Sequence, residues 1–400
     1  MRKRRYGRAG RIGGRHTGIS LITETANGTL FFSRSAAGTP VRLAFQQLHT
    51  NSDNRLFVSG AIISEECRVK GKEQRSCFMA ELMTKKERVI AAFRGEEVDH
   101  VPVCMWKHVP GEYWKDFDRF AEYQVNSFRS TGVDFMKLSA DGYFGWPSPQ
   151  LEEIERVGDL RRLEPLGASH PYVKGQIERT AKVVGGLGGE CVSVYLIFVP
   201  LSCLRLMIGY PKMMRWIRED PEAVRYACRV IAEDQKLLVK GVIEDAGADG
   251  IFYSVQNGEI DRFTAEEYRA WVTPGDREVL DYANTLSDRN VLHLCGWEGV
   301  PNRLSVWEDY RAAVVSWARN VDLYDIREAK KRFGCTVWGG FDNRAGSILF
   351  TASREEIEEA TARLIEEGGR TGYIIGADCS MDGALSDERI RWVAEASGRI

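Results

Sequence analysis

Three side chains in this sequence have the types and the spacing of a metal site: His293, Cys295 and Cys379. His293 and Cys295 flank a single leucine in an apolar run. Positions i and i+2 of a strand point to the same side, so an imidazole and a thiol share one face there. Cys379 ends a second apolar run and joins them wherever the fold brings the two run ends to one place. One imidazole and two thiolates suit zinc. Three protein ligands leave a fourth position for water or substrate, which is the arrangement of a catalytic rather than a structural zinc. On these residues alone the plainer alternative stays open. A buried cysteine is often a small hydrophobe, and a histidine at a strand end is often held by ordinary hydrogen bonds.

The elements that must position these residues read as a (β/α)8 barrel over residues 83–400. Short β-rich runs at 101–106, 134–138, 192–198, 250–254, 290–294, 313–317, 336–339 and 372–376 alternate with longer amphipathic segments. Most of the runs are apolar at consecutive positions, as parallel strands covered on both faces must be. The segments between them carry helix starts. Asp220 precedes Pro221, and Thr84 with Glu87, Thr264 with Glu267 and Ser353 with Glu356 form capping-box pairs. No glycine-rich nucleotide-binding turn follows a strand, which argues against an open dinucleotide-binding sheet.

In such a barrel chemistry sits at the carboxyl ends of the strands. The polar residues expected there are Lys107, His108, Ser139, Asp141, Tyr253, Gln256, Asn257, Glu259, Asp342, Asn343 and Asp378. Of these, His108, Asp342 and Asp378 are expected to serve catalysis, and Tyr253, Asn257 and Asn343 to contact substrate. Each has a simpler reading as a helix cap or strand end.

Composition narrows the class. The chain has 400 residues, 44% of them hydrophobic, and a formal net charge of −2. A near-neutral surface gives no general attraction to nucleic acid or anionic membrane. A bilayer-spanning helix needs about 20 apolar residues in succession, and no such run is present. Nine cysteines scattered through an α/β pattern fit a reducing, cytoplasmic setting, where thiols bind metal or do chemistry more often than they pair. Residues 1–82 differ from the rest. Arg2, Lys3, Arg4, Arg5, Arg8, Arg11 and Arg15 open a glycine-rich, polar stretch that reads as a basic extension of low order, and Met83 begins a segment resembling a natural N-terminus.

Residues 83–103 (MTKKERVIAAFRGEEVDHVPV), 293–296 (HLCG), 339–343 (GGFDN) and 376–379 (GADC) together resemble the uroporphyrinogen decarboxylase superfamily. The resemblance spans 83–400 and implies a (β/α)8 barrel. Its two branches differ in chemistry. The decarboxylases use no metal and hold substrate carboxylates with an Arg-Gln-Ala-Gly-Arg stretch after the first strand, where this chain has Met105-Trp106-Lys107-His108-Val109-Pro110. The cobamide-dependent methyltransferases bind zinc through a His-x-Cys…Cys pattern, matched here by His293, Cys295 and Cys379. That branch implies methyl transfer between a small methylated compound and a corrinoid protein, with zinc as Lewis acid. The branch's Gly-Asn-x-Asp turn reads Gly340-Phe341-Asp342-Asn343 here, so the contacts of the missing asparagine differ. No Asp-x-His-x-x-Gly corrinoid signature is present, so the corrinoid is expected on a partner. The rival readings are a metal-free decarboxylase, a tetrapyrrole or corrinoid carrier without turnover, and, weakest, a nucleic-acid arm at the basic N-terminus.

Overall fold

The computed structural model describes residues 82–400 except 297 and 298, together with the backbone of five short strands between residues 19 and 58. The chain divides into two compact units, Met1–Leu82 and Met83–Ile400. In the first unit, strands β1 (Ile19–Glu24), β2 (Leu30–Arg34) and β3 (Val41–Leu43) form one antiparallel sheet, and β4 (Leu48–Thr50) pairs with β5 (Leu56–Val58). These strands stand where the sequence shows no strand periodicity. Runs of three to six residues are too short to display it. The remainder of the low-order expectation for 1–82 lies outside the described residues.

The second unit is built on strands β6 (Met136–Leu138), β7 (Ser193–Phe198), β8 (Gly250–Val255), β9 (Val291–Leu294), β10 (Val314–Trp317), β11 (Thr336–Phe341) and β12 (Tyr373–Ala377). They are all parallel and lie side by side in chain order. Nearly every residue in them is buried, because helices cover the outer face and side chains fill the interior. The expected helix starts are all formed. Thr84, Thr264 and Ser353 each make a reciprocal capping box, and the Asp220 carboxylate accepts from the amide of Ala223. No helix among the described residues is long and apolar enough to cross a membrane.

The run at 101–106 is the exception. It is not a continuous strand, yet it closes the barrel. Ile375 on β12 donates its amide to the carbonyl of Pro102 at 2.9 Å and accepts from the amide of Cys104 at 3.0 Å. Isolated parallel bridges join Val103 to Ile375 and Lys107 to Met381. On the opposite side Asp134 donates its amide to the carbonyl of Val103 at 2.8 Å, while its carboxylate accepts from the amide of Val103 at 2.8 Å. Two causes break the ladder. Pro102 has no amide to donate, and a side-chain oxygen of Asp134 takes a place that a strand would fill with a carbonyl.

The second oxygen of Asp134 receives Nη1 of Arg88 at 2.7 Å. Arg88, on the helix Lys85–Phe93, is only 5% exposed and also pairs with Asp99 through Nε at 2.6 Å. Removing one member of a buried pair leaves the other charge uncompensated, at a cost of about 3–5 kcal/mol. Asp134→Ala should therefore lower the free energy of unfolding by about 3 kcal/mol, the low end because Arg88 retains Asp99. Urea denaturation followed by circular dichroism reads this. A loss below about 0.5 kcal/mol, the level of an ordinary surface substitution, would deny the seam its structural role.

Candidate metal centre

His293 lies within β9 and Cys295 one residue beyond its end, both on the inner face. Cys379 follows β12 by two residues. Their ligand atoms all lie within 4.8 Å of one another, a spacing able to hold a metal ion. The sulfurs of Cys295 and Cys379 are 3.8 Å apart. Nδ1 of His293 meets the hydroxyl of Ser316, on the neighbouring strand β10, at 3.0 Å. Nε2 of the same ring is buried and makes no hydrogen bond of normal geometry. A buried nitrogen left in that state costs about 1–3 kcal/mol. With Nδ1–H directed at Ser316, Nε2 presents a lone pair beside two thiols, which is what a histidine ligand must do.

Electrostatics favour the same reading. The Cys379 thiol is held well below the usual cysteine range by a hydrogen bond from Cys295. Burial opposes this, and the ring of His293 reinforces it. The Nε2 amide of Gln256 donates to the sulfur of Cys295 at 3.7 Å, and Gln256 in turn accepts from Arg205 Nη2 at 2.8 Å. Gly296 is required beside the ligand. A Cβ there would come within 2.4 Å of the Cβ of Ala318.

The three residues form one end of a cavity of about 710 Å3, counting its open mouth. Beneath it the barrel is filled by aromatic rings. Phe93 touches Phe135, which touches Trp338, and Trp338 meets both Trp106 and Phe252. Phe252 stacks on His293 with centroids 4.8 Å apart, and Trp106 meets His293 edge-on at 5.9 Å.

Of the residues expected at the mouth, His108, Gln256, His293, Cys295 and Cys379 line this cavity. Nδ1 of His108 is 2.7 Å from Asp141, whose other oxygen accepts from the amide of Val109 at 2.7 Å and the hydroxyl of Ser139 at 2.5 Å. Burial pushes the Asp141 carboxyl up. The hydrogen bond from His108 and the charge of Lys137 more than offset it, so the group stays below its ordinary value.

Five of the six residues expected to serve catalysis or contact substrate do not line the cavity, and neither do Lys107, Ser139, Asp141 and Glu259. Tyr253 alternates with Phe252 and Ser254 on β8; those two face inward, so Tyr253 points out toward the helices. Asn257, buried at a φ of 64°, donates to Ser202 at 3.3 Å. Asp342 is occupied by Arg344, with Nη2 at 2.6 Å. Asp378 accepts from both the backbone and the side-chain amide of Asn320, at 3.0 and 3.1 Å. Asn343 donates to the carbonyl of Ser380 at 3.0 Å.

Lys137, Arg205, Ser254 and Ser380 line the cavity and escaped the sequence reading. Lys137 did leave a signal, as the one charge inside the otherwise apolar stretch Val133 to Leu138 after Asp134. Arg205 comes from the helix Pro200–Ile208, where strand-end reasoning does not reach.

A uroporphyrinogen decarboxylase (URO-D) family profile matches residues 145–399. The chain belongs to this family. Among solved structures, this URO-D chain is similar to a methyltransferase from Methanosarcina mazei, with 18% identity and a TM-score of 0.63 over 79% of this chain and 99% of that one. A B12-independent methionine synthase from Shewanella matches at 12% identity and a TM-score of 0.45, over 75% of this chain and 93% of that one. The first likeness establishes a shared fold. No curated protein sequence matches.

Ser316 orients the imidazole without contacting the other two ligands. Such supporting hydrogen bonds contribute about 10- to 100-fold to metal affinity. Ser316→Ala should weaken metal binding within that range in a competition titration with a chromophoric chelator. Unchanged affinity would show that the ring is fixed by Phe252 and Trp106 alone.

Proposed function

We propose that this URO-D protein is a zinc-dependent methyltransferase, moving a methyl group between a small methylated compound and a corrinoid carried by a separate protein. The observation that carries the reading is the convergence of one imidazole nitrogen and two thiols, with Nε2 unsatisfied, at the end of a cavity sized for a small molecule. Two thiolates would balance a dication, and three protein donors leave a coordination position open. Bound there, zinc would supply Lewis acidity toward the heteroatom that carries or receives the methyl group.

The remaining roles fall to the chain itself. Ser316 and Gln256 hold His293 and Cys295 in place. Asp378, through Asn320, and Asn343, through Ser380, fix the turn that carries Cys379. His108 stands at the mouth with its side chain 56% exposed and oriented by Asp141, where it can hold or move a proton at the substrate. The seven described cysteines are free, which suits a reducing cytoplasm.

The metal-free decarboxylase reading fares worse. Lys107 is the one lysine or arginine within Met105–Pro110, the stretch that stands where the family has its two arginines, and its ammonium is taken by Asp387 at 2.5 Å and the carbonyl of Leu385 at 3.1 Å. Metal analysis of the purified full chain beside a Cys379→Ala variant tests the proposal. The expected result is about one zinc per chain, and a large loss in the variant. Absence of stoichiometric zinc in the unmodified protein would sink the methyltransferase reading.

A further inference from the structure

Lys137 is a charged side chain that the metal chemistry leaves unused. It lies on β6, only 4% exposed, and lines the cavity. Its ammonium sits 5.8 Å from the ring centroid of Trp106 and 6.0 Å from that of Phe252. The same two rings flank His293. Lys137 and the metal ligands are thus neighbours around one aromatic pair, inside one cavity.

The nearest carboxylates in sequence are committed elsewhere. Asp134 binds Arg88 and the amide of Val103, and Asp141 binds His108, Ser139 and the amide of Val109. Among the described residues no aspartate or glutamate lines the cavity, whereas Lys137 does. Burial without a close counter-ion disfavours the ammonium, and its proton affinity is lowered accordingly, with Asp141 only partly compensating. With the thiolates balanced by a metal dication, the Lys137 ammonium remains as a charge for a substrate to meet. The walls beside it, Trp106, Phe144, Phe198 and Phe252, are apolar.

We infer that the substrate carries a carboxylate, which Lys137 binds while the apolar body lies along the aromatic walls and the reacting heteroatom faces the metal centre. This deepens the methyl-transfer reading and takes from it the assignment of the metal end. The ion pair forms away from water, where a hydrogen bond to a charged group is worth more than on the surface. It fixes the substrate at two points, which is what sets a methyl-bearing atom at a reproducible distance from the metal.

The test is calorimetric titration of the full chain, as purified, with benzoate and with benzamide, its uncharged counterpart of the same shape. Benzoate should bind about tenfold or more tighter than benzamide, and Lys137→Met should remove that preference while leaving zinc content unchanged. Lys137→Gln serves as a second variant should methionine prevent folding. Equal binding of the two probes, no benzoate binding at millimolar concentration, or a benzoate preference that persists in both variants would each overturn the inference. A preference kept without Lys137 but lost in Cys379→Ala would place the carboxylate on the metal, and so overturn it too. Zinc-free protein that still shows Lys137-dependent benzoate binding would reject the metal reading and leave this one standing.

Discussion

A sheet of parallel strands exposes an unpaired edge on each side until its first and last members meet, and in this chain that meeting is made by very few bonds. The segment at 102–104 exchanges two backbone hydrogen bonds with Ile375 and is tied to Asp134 on its other flank. Everything at the cavity depends on this seam. Cys379 lies four residues beyond Ile375, and Trp106, which touches His293, lies two residues beyond Cys104. The same short segment that closes the barrel therefore sets the distance between the last strand and the imidazole three strands away. Arg88, on the helix Lys85–Phe93, adds a charge clamp, so the sparsest part of the ladder is also held by buried ion pairs.

The environment of His293, Cys295 and Cys379 explains why a thiol-rich cluster is tolerable there. Aromatic rings exclude water from the inner side, and low dielectric strengthens each remaining polar contact. Ser316 on β10 and Gln256, one residue past the end of β8, reach His293 and Cys295 from the two sides of β9, so the histidine and cysteine are each braced by a different neighbour. Nε2 of His293 makes no hydrogen bond of normal geometry, whereas Nδ1 meets Ser316. A fold that satisfies one nitrogen of a ring and withholds partners from the other has specified which atom faces the ligand.

Most of the barrel was legible in the sequence because strands buried on both faces leave continuous apolar runs, and seven of the eight runs became paired strands within a residue or two of the expected limits. The eighth, 101–106, failed for a local reason, since a proline without an amide sits where the ladder needs a donor. His293, Cys295 and Cys379 were legible because strand ends and i, i+2 spacing are properties of the chain itself. Which face of an apolar strand turns inward is not such a property. Tyr253 and Phe252 are equally good strand residues, and only the structure shows that Phe252 is the inner one. Asp342 and Asp378 ended up paired with Arg344 and Asn320, partners whose proximity depends on loop geometry. Arg205 enters the cavity from a helix, where strand-end logic has no purchase.

The stacked rings beneath the ligands, from Phe93 up to Phe252 and Trp106, have a further consequence for the order of events. They lie along the inner side of the cavity, against His293. On the methyl-transfer proposal, a small molecule lying against these rings would have to be seated before a larger partner covered the strand ends.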